Sequence, residues 1–472
     1  MNEVVLNELP ENWAWTKLGD VVTKIIGGGT PSKDNPKYWK GDIPWLTVKD
    51  MRSRRPADAM DHISEKAVKE SSTNIIPEDT VIIATRIGLG KVIRVPYKAA
   101  INQDLKALIL PPEIEKGYLE YWFVSKTNYL ESIGSGTTVK GIRLEQVRDL
   151  DFPLAPPDQQ KRIVAKIEEL FSHIDAGIEA LKKAKQLLKQ YRQSILKAAV
   201  TGELTKEWRE ANKDKLEPAS QLLERILKER RQKWEEQQLE QFKAKGKIPK
   251  NDKWREKYKE PEMLVVVPVE ELPDTWAWVA MGQIFEVNVG ATPSRKKAEY
   301  WGEEINWVSS GEVAFCHIKD TKEKITSEGL NNTSTVLHPP GTVMLGMIGE
   351  GKTRGQAAIL DIYAAHNQNT AAIEKCVDEQ SSEYLYYYLI QQYELTRKRG
   401  SGNNQKALNK TRVQSIEFPL PPLEEQVIIA KILMEKFSAI ERLENEINQQ
   451  LVKAEKIKQS VLSYSFLGRI SA

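Results

Sequence analysis

Apolar and small residues recur at alternating steps of three and four along one stretch of the chain: Ile167, Leu170, Ile174, Gly177, Leu181, Ala184, Leu188, Tyr191, Ile195 and Ala198. This is the spacing of a coiled-coil seam, a narrow apolar stripe on a helix of roughly 40 residues and about 60 Å. The stretch that contains it, Phe152 to Leu204, is written again without a gap from Phe418 to Ile470, 266 residues further on. Phe152-Pro153-Leu154 answers Phe418-Pro419-Leu420, Gln160 answers Gln426, Phe171-Ser172 answers Phe437-Ser438, and Gln193-Ser194 answers Gln459-Ser460. Helices have this intolerance of insertion, because one extra residue turns everything after it by about 100°. The second seam reads Leu433, Lys436, Ile440, Leu443, Ile447, Gln450, Ala454, Ile457, Val461 and Tyr464, with polar interruptions at Lys436 and Gln450. Pro156-Pro157 disfavours helix before it and makes Asp158 the expected N-cap. Each stripe needs a partner, and the chain tethers two matching ones, so the helices are expected to pair with each other. One wall of a globular domain, or a seam for homodimerisation, are the other uses of such a pattern.

The regions preceding the helices are also copies. Leu9-Pro10-Glu11-Asn12-Trp13-Ala14-Trp15 matches Leu272-Pro273-Asp274-Thr275-Trp276-Ala277-Trp278; Thr30-Pro31-Ser32, Tyr38-Trp39 and Ile43-Pro44-Trp45 match Thr292-Pro293-Ser294, Tyr300-Trp301 and Ile305-Asn306-Trp307. Asn102-Gln103 matches Asn367-Gln368, and Gly134-Ser135-Gly136 matches Gly400-Ser401-Gly402. The offset drifts between these anchors, which places insertions in loops. Short β-rich runs, Thr80 to Ala84, Val92 to Val95 and Ala107 to Leu110, with Thr342 to Leu345 and Ala357 to Ile362, are separated by Gly, Pro and Asn turns. One amphipathic helix follows in each copy, Tyr118 to Leu130 and Ser382 to Thr396. The fold class expected is α+β: two small α+β domains, each with a twisted, partly closed sheet, joined by two long helices in an antiparallel coiled coil. The expected divisions are residues 1–151, first domain; 152–204, first helix; 205–262, charged helical linker; 263–417, second domain; and 418–472, second helix. In the linker, Glu217-Pro218-Ala219-Ser220 reads as a helix start, Leu222, Leu223, Ile226 and Leu227 form an apolar patch, and the Gln/Glu/Lys run after Arg230 reads as a solvated face.

Composition narrows the function. With 472 residues the chain exceeds one core. No apolar run is long enough to span a bilayer and the start lacks a signal peptide's regions, so a cytoplasmic protein without membrane contact is expected. Two cysteines and five histidines, all scattered, leave no disulfide framework and no metal ligand set, and Cys316-His317 reads as a strand pair. A net charge of +3 neither demands nor excludes nucleic acid.

Gly346-Met347-Ile348-Gly349-Glu350-Gly351-Lys352-Thr353 satisfies the phosphate-loop pattern. A phosphate loop must open a helix, whereas Gln356 to Ala365 reads as strand, and Thr85 to Val92 in the first copy lacks the pattern. No Asn-Pro-Pro-Tyr/Phe methyltransferase motif and no His-Glu-x-x-His zinc motif occurs, so catalysis, a bound cofactor and a metal are not expected in this chain.

The glycine loops before the long helices carry more. Gly134 to Gly141 aligns with Gly400 to Ala407; Lys140 and Lys406 are shared, while Thr137, Thr138 and Val139 stand against Asn403, Asn404 and Gln405. A shared lysine suits a phosphate, the same in every sequence; varied polar residues suit base edges, where Asn and Gln bond adenine bidentately. A mobile surface loop is the other reading. Arg86, Lys91 and Arg143 in the first copy, and Lys352, Arg354 and Arg412 in the second, would extend the basic face.

With Phe152-Pro153-Leu154-Ala155-Pro156-Pro157-Asp158-Gln159-Gln160 and Phe418-Pro419-Leu420-Pro421-Pro422-Leu423-Glu424-Glu425-Gln426 each heading a long helix, and Gln193-Ser194-Ile195-Leu196 running to Thr201-Gly202-Glu203-Leu204, the chain resembles the specificity (S) subunits of type I restriction-modification enzymes over nearly its whole length. The resemblance implies two target recognition domains that each read one half of a split, asymmetric double-stranded DNA site, spaced by antiparallel helices. It also implies two modification (methyltransferase) subunits carrying S-adenosylmethionine, and restriction (motor-nuclease) subunits using ATP and Mg. The second helix departs from the pattern in ending Phe466-Leu467-Gly468-Arg469-Ile470, and the resemblance leaves the charged insertion unexplained. A coiled-coil scaffold joining two protein-binding domains, without DNA contact, is the rival from another class.

Overall fold

The computed structural model describes residues 9–136, 140–249, 251–261, 271–349, 351–398 and 407–470. It divides into two units: residues 1–184 with 446–472, and residues 185–445. Each unit therefore owns one globular domain and part of each long helix, Pro157–Val200 and Leu423–Ser465.

In the first unit the strand Ala14–Lys17 pairs antiparallel with Asp151–Leu154, the strand that leads into the first long helix. A four-stranded antiparallel sheet follows, in the order Lys24–Gly27, Leu105–Ile109, Val81–Ala84, Val92–Ile93. A second sheet runs Asp61–Ile63, Ile43–Leu46, Ala99–Ile101, Asn74–Ile76, with one parallel pairing, Trp45 opposite Ala100. Val81–Ala84 shows why its sequence is unbroken apolar rather than alternating. Val81 and Ile83 enter the core with Tyr118, Trp122 and Phe152, while Ile82 and Ala84 enter another with Leu46 and Ile101. The second unit repeats the plan with a five-stranded and a three-stranded sheet. There Val343 and Leu345 face one core and Met344 the other. Each domain thus has separate sheets around three buried clusters, the third about Trp45 and Ile63 in the first unit and Trp307 and Ile325 in the second, in place of the single partly closed sheet expected. The helices expected at Tyr118 to Leu130 and Ser382 to Thr396 are each two, Lys116–Ser125 with Thr127–Ile133, and Ser382–Gln391 with Tyr393–Lys398.

The repeated Phe-Pro-Leu…Gln motif is a joint. Phe152 meets Trp122 and Tyr118 edge to face at 5.1 and 5.7 Å, and the Tyr118 hydroxyl donates to the Pro153 carbonyl at 2.8 Å. Gln160, wholly buried, donates to Ala155 O at 2.8 Å and accepts from Glu115 N at 2.8 Å, tying the long helix to the start of the short one. Tyr384 to Pro419 at 3.0 Å, Gln426 to Pro421 at 3.0 Å and Ser381 N to Gln426 at 3.2 Å repeat those bonds. A residue inserted between Phe and Gln would break all of them, which explains the gapless match. Asp158 falls within the first helical turn and is not the cap, because the helix starts at Pro157, with Gln159 N and Gln160 N bonded to Pro156 O.

The helices pair antiparallel within each unit: Ile167, Phe171 and Ile174 lie with Val461, Leu462 and Phe466 in the first, and Ile195, Leu196 and Ala199 with Leu433, Phe437 and Ile440 in the second. Arg192 lies 4.9 Å over the Phe437 ring and 3.5 Å from Glu444; its counterpart Lys458 lies 5.4 Å over Phe171 and pairs with Asp175. The expected seam holds at Ile167, Ile174, Leu181, Ala184, Leu188 and Ile195. At the other turns the inward residue is the next one along: Phe171, Ile178, Arg192 and Ala199 face inward, while Gly177 and Tyr191 are exposed. The second helix shifts alike, with Phe437 inward and Leu443, Ile457 and Tyr464 exposed. Steps of three-then-four and four-then-three share every other residue, so the polar interruption belongs to Arg192 and Lys458 and not to Gln450.

Both helices stop at a left-handed glycine, Gly202 (φ 79°) and Gly468 (φ 67°), so the divergent second ending has the same geometry. The charged insertion is more than a linker. Its helix Ala219–Ala244 buries Leu222 and Ile226 in the second unit's core, and Arg230 donates to Gly282 O and Gln283 O. Thr205 and Arg209 donate to the buried Glu425 carboxylate at 2.6 and 2.7 Å. Among the described residues no helix is long and apolar enough to cross a membrane.

Candidate nucleic-acid interface

In the first unit the hairpin between Val81–Ala84 and Val92–Ile93 turns through three positive-φ residues, Ile87, Gly88 and Gly90. Left-handed backbone is strained for a β-branched side chain, and Ile87 is 52% exposed, so its burial offsets that strain only in part. The neighbouring chain holds it: Ile87 N bonds Lys140 O at 3.4 Å, Ile142 N bonds Thr85 O at 2.9 Å, and Arg86 bridges Gly141. The glycine loop is closed at its base by reciprocal Ser135 and Gly141 backbone bonds of 3.0 and 2.9 Å. Two loops distant in sequence are thereby knitted together, and Arg86, Lys91, Lys140 and Arg143 stand exposed on or beside them. Arg86 lies 3.5 Å from the buried Asp104.

The second unit keeps the knitting. Leu408 N bonds Met347 O at 3.0 Å, as Ile142 does Thr85, and Met347 N bonds Asn369 O at 2.9 Å, as Thr85 does Asp104 at 2.8 Å. Lys352 is exposed, its carbonyl receiving the Tyr393 hydroxyl at 2.7 Å, and Arg412 is half-buried on the short helix Lys410–Gln414. Arg354 does not extend an exposed basic face: it is only 6% exposed, and its carbonyl accepts from Arg397 at 3.4 Å. Thr137, Thr138, Asn403, Asn404, Gln405 and Lys406 lie outside the described residues. The phosphate-loop pattern spans a connection between two antiparallel strands, Val343–Gly346 and Ala357–Leu360; Gly346 N bonds Gln356 O at 2.8 Å, and no helix follows. Cys316 and His317 do belong to a strand, Cys316–Ile318.

Beside the knitted loops, the residues that align the two copies converge. Trp39 and Trp45 meet edge to face at 5.0 Å, and Trp45 Nε1 donates to Gly29 O at 3.1 Å. Thr30 Oγ1 donates to Gln103 Oε1 at 2.5 Å, and Asp104 N donates to Asn102 Oδ1 at 3.1 Å. The second unit matches each one. Trp301 and Trp307 meet at 5.1 Å, Trp307 Nε1 donates to Ala291 O at 3.2 Å, Thr292 to Gln368 at 2.6 Å, and Asn369 N to Asn367 at 3.0 Å. In the first unit this frame borders a recess of about 780 Å³ reached by Lys33, Lys49, Asp61, Ile87 and Gln103. The signal was in the sequence: Thr-Pro-Ser, the paired tryptophans and Asn-Gln recur together, though nothing in one dimension shows that they converge.

One buried polar chain is peculiar to the second unit. His338 contacts Glu374 at 2.6 Å through Nδ1 and His366 at 3.1 Å through Nε2, and His366 Nδ1 reaches Thr370 Oγ1 at 2.7 Å. Burial, and secondarily the neighbouring His338, depress the His366 pKa to about 3, so the ring is neutral near pH 7. Both histidines are closed off from solvent, which fits a structural relay and not a reacting site.

A family profile described as "Type I restriction modification DNA specificity domain" matches the chain twice, over residues 10–189 and 273–453. The chain is 21% identical over 471 residues to the type I restriction enzyme EcoDI specificity subunit of Escherichia coli, covering 98% of this chain and 90% of that protein. It is 30% identical over 200 residues to the MjaIX specificity subunit of Methanocaldococcus jannaschii, a match spanning 41% of this chain and 45% of that one. In fold it is similar to the crystal structure of the HsdS subunit from Thermoanaerobacter tengcongensis, with a TM-score of 0.59 at 18% identity, covering 98% of both chains. A chain solved in a study of complex assembly and conformational transition of the type I R-M system gives 0.68 at 17% identity, covering 98% of this chain and all of that one.

Proposed function

The chain belongs to the type I restriction-modification DNA specificity family, carrying its domain twice, and from that premise we propose that it is a DNA-binding specificity subunit that reads a split, asymmetric target. One half-site falls to each recognition domain. The observation that carries this is the pair of knitted loops: two equivalent backbone bonds tie them in both units, while the residues of the glycine loops differ in sequence. Equal frames with unequal side chains suit two unlike half-sites. Exposed Arg86, Lys91, Lys140 and Arg143 in one unit and Lys352 in the other supply the sequence-independent attraction to phosphate, with Lys406 as the counterpart of Lys140. Thr137, Thr138, Asn403, Asn404 and Gln405 are the base-reading candidates; Arg412 has a supporting place. Methyl transfer with S-adenosylmethionine, and cleavage with ATP and Mg, belong to modification and restriction subunits that this chain positions.

The test is reconstitution. The purified chain is expected neither to methylate nor to cleave DNA; with a modification subunit and S-adenosylmethionine, adenine methylation should appear at one bipartite sequence. Robust methyl transfer by the isolated chain contradicts the reading. A complex with no salt-dependent, sequence-selective DNA binding favours the scaffold instead.

A further inference from the structure

The tryptophan frame is equal in the two units, but what stands on it is not. Where the first unit has Lys33, Lys49 and Asp61, the second has Arg295, Gly311 and Glu323. Arg295 is exposed but already partnered: both its terminal nitrogens bond Glu323, one at 2.8 Å, and its guanidinium lies 3.7 Å over the Trp301 ring and 5.5 Å from Trp307. That contact holds the Glu323 carboxyl below the ordinary carboxylate range. Lysine is a compact point charge without the planar fork needed to bridge a carboxylate and stack on an indole at once. Accordingly Lys33 and Asp61 form no ion pair among the described residues, Lys49 has no side-chain partner there, and all three are exposed. Gln103 is exposed too; its Oε1 accepts from Thr30, and its amide Nε2, a donor, has no protein partner among the described residues.

We propose that this group in the first unit is a base-reading site that recognises a G·C pair, and that the closed Arg295–Glu323 pair withholds the same contact from the second unit. Lys33, Lys49 and Gln103 are donors, suited to guanine, which alone presents two acceptors, O6 and N7, in the major groove; Asp61 is an acceptor suited to the cytosine N4 amino group. The site adjoins the knitted loops through Ile87, so a duplex held by Arg86 and Lys140 lies beside it. This inference rests on the DNA-specificity reading above and adds which residues make the two half-sites unequal.

The experiment uses the full chain in complex with its modification subunit and maps methylated sites, with and without the double substitution Lys33→Ala, Lys49→Ala. The expected result is a parent site with a required G·C pair in one half, and a variant that has lost about tenfold or more of the discrimination there, the usual value of one good base contact. The other half-site and the spacer should stay as they were, which also reports an intact fold. Equal weakening on every sequence, with a salt slope reduced by about one per lysine, would mean phosphate contacts and overturn the proposal. An unchanged map overturns it as well. A parent complex with no sequence preference at all refutes the DNA-specificity reading itself, a different and separately visible failure.

Discussion

Replacing His338 and His366 by isoleucine should remove the loss of second-unit stability that the buried His366 causes as pH falls. The first unit supplies the template: by strand register Ile76 stands where His338 does and Ile101 where His366 does, both wholly buried. The His366 ring has a pKa of about 3 when folded, against about 6.5 when unfolded. For a depressed histidine pKa the unfolded chain binds the proton first, so stability is whole above pH 6.5 and falls as pH drops toward 3. One pH unit in that window costs about 1.4 kcal/mol, so going from pH 7 to pH 5 should cost the second unit about 2 kcal/mol. In the double variant the histidine's share of that slope is gone, while stability at pH 7 changes little, because exchanging a satisfied buried polar pair for well-packed apolar groups is often neutral or stabilising. Glu374, partly exposed and bonded to Asn288 at 3.4 Å, keeps a partner. The assay is hydrogen exchange of Ala364–His366 and Thr370–Lys375 amides at pH 7 and pH 5, with Ala99–Ile101 and Leu105–Ile109 as the internal control. An equal pH slope in parent and double variant would refute the reasoning.

Three further outcomes are expected. Lys140→Ala should weaken binding to all duplexes similarly and lower the salt slope by about one, checked by titration at several salt concentrations; altered sequence preference without a salt effect would remove Lys140 from the phosphate. Exchanging Asn403, Asn404 and Gln405 for Thr, Thr and Val should alter one half-site by about 1–3 kcal/mol per lost bidentate contact and leave the other half untouched, as read by a methylation-site map. Gly202→Ala should destabilise the second unit by about 1–2 kcal/mol in urea unfolding, because the residue is left-handed and a Cβ there would stand 2.5 Å from Pro273 Cγ.

The duplication, the long helices and the family were legible in one dimension because the residues that carry them are local and cannot tolerate insertion. Phe152, Gln160, Phe418 and Gln426 fix joints a few residues long, and every step between them is counted in helix turns. Strand runs such as Val81–Ala84 were visible for the opposite reason, both their faces being buried. What remained hidden depends on what arrives from elsewhere in the chain. Periodicity alone cannot choose between Leu170 and Phe171, or Tyr191 and Arg192, as seam residues; Phe437 and Glu444 across the pair decide it. Arg354 is written like any loop arginine, and only the packing around it takes it out of water. Lys33 and Arg295 are equally basic in the sequence, yet one stands open and the other is closed against Glu323 and Trp301, because a guanidinium can bridge a carboxylate and stack on an indole together and an ammonium cannot.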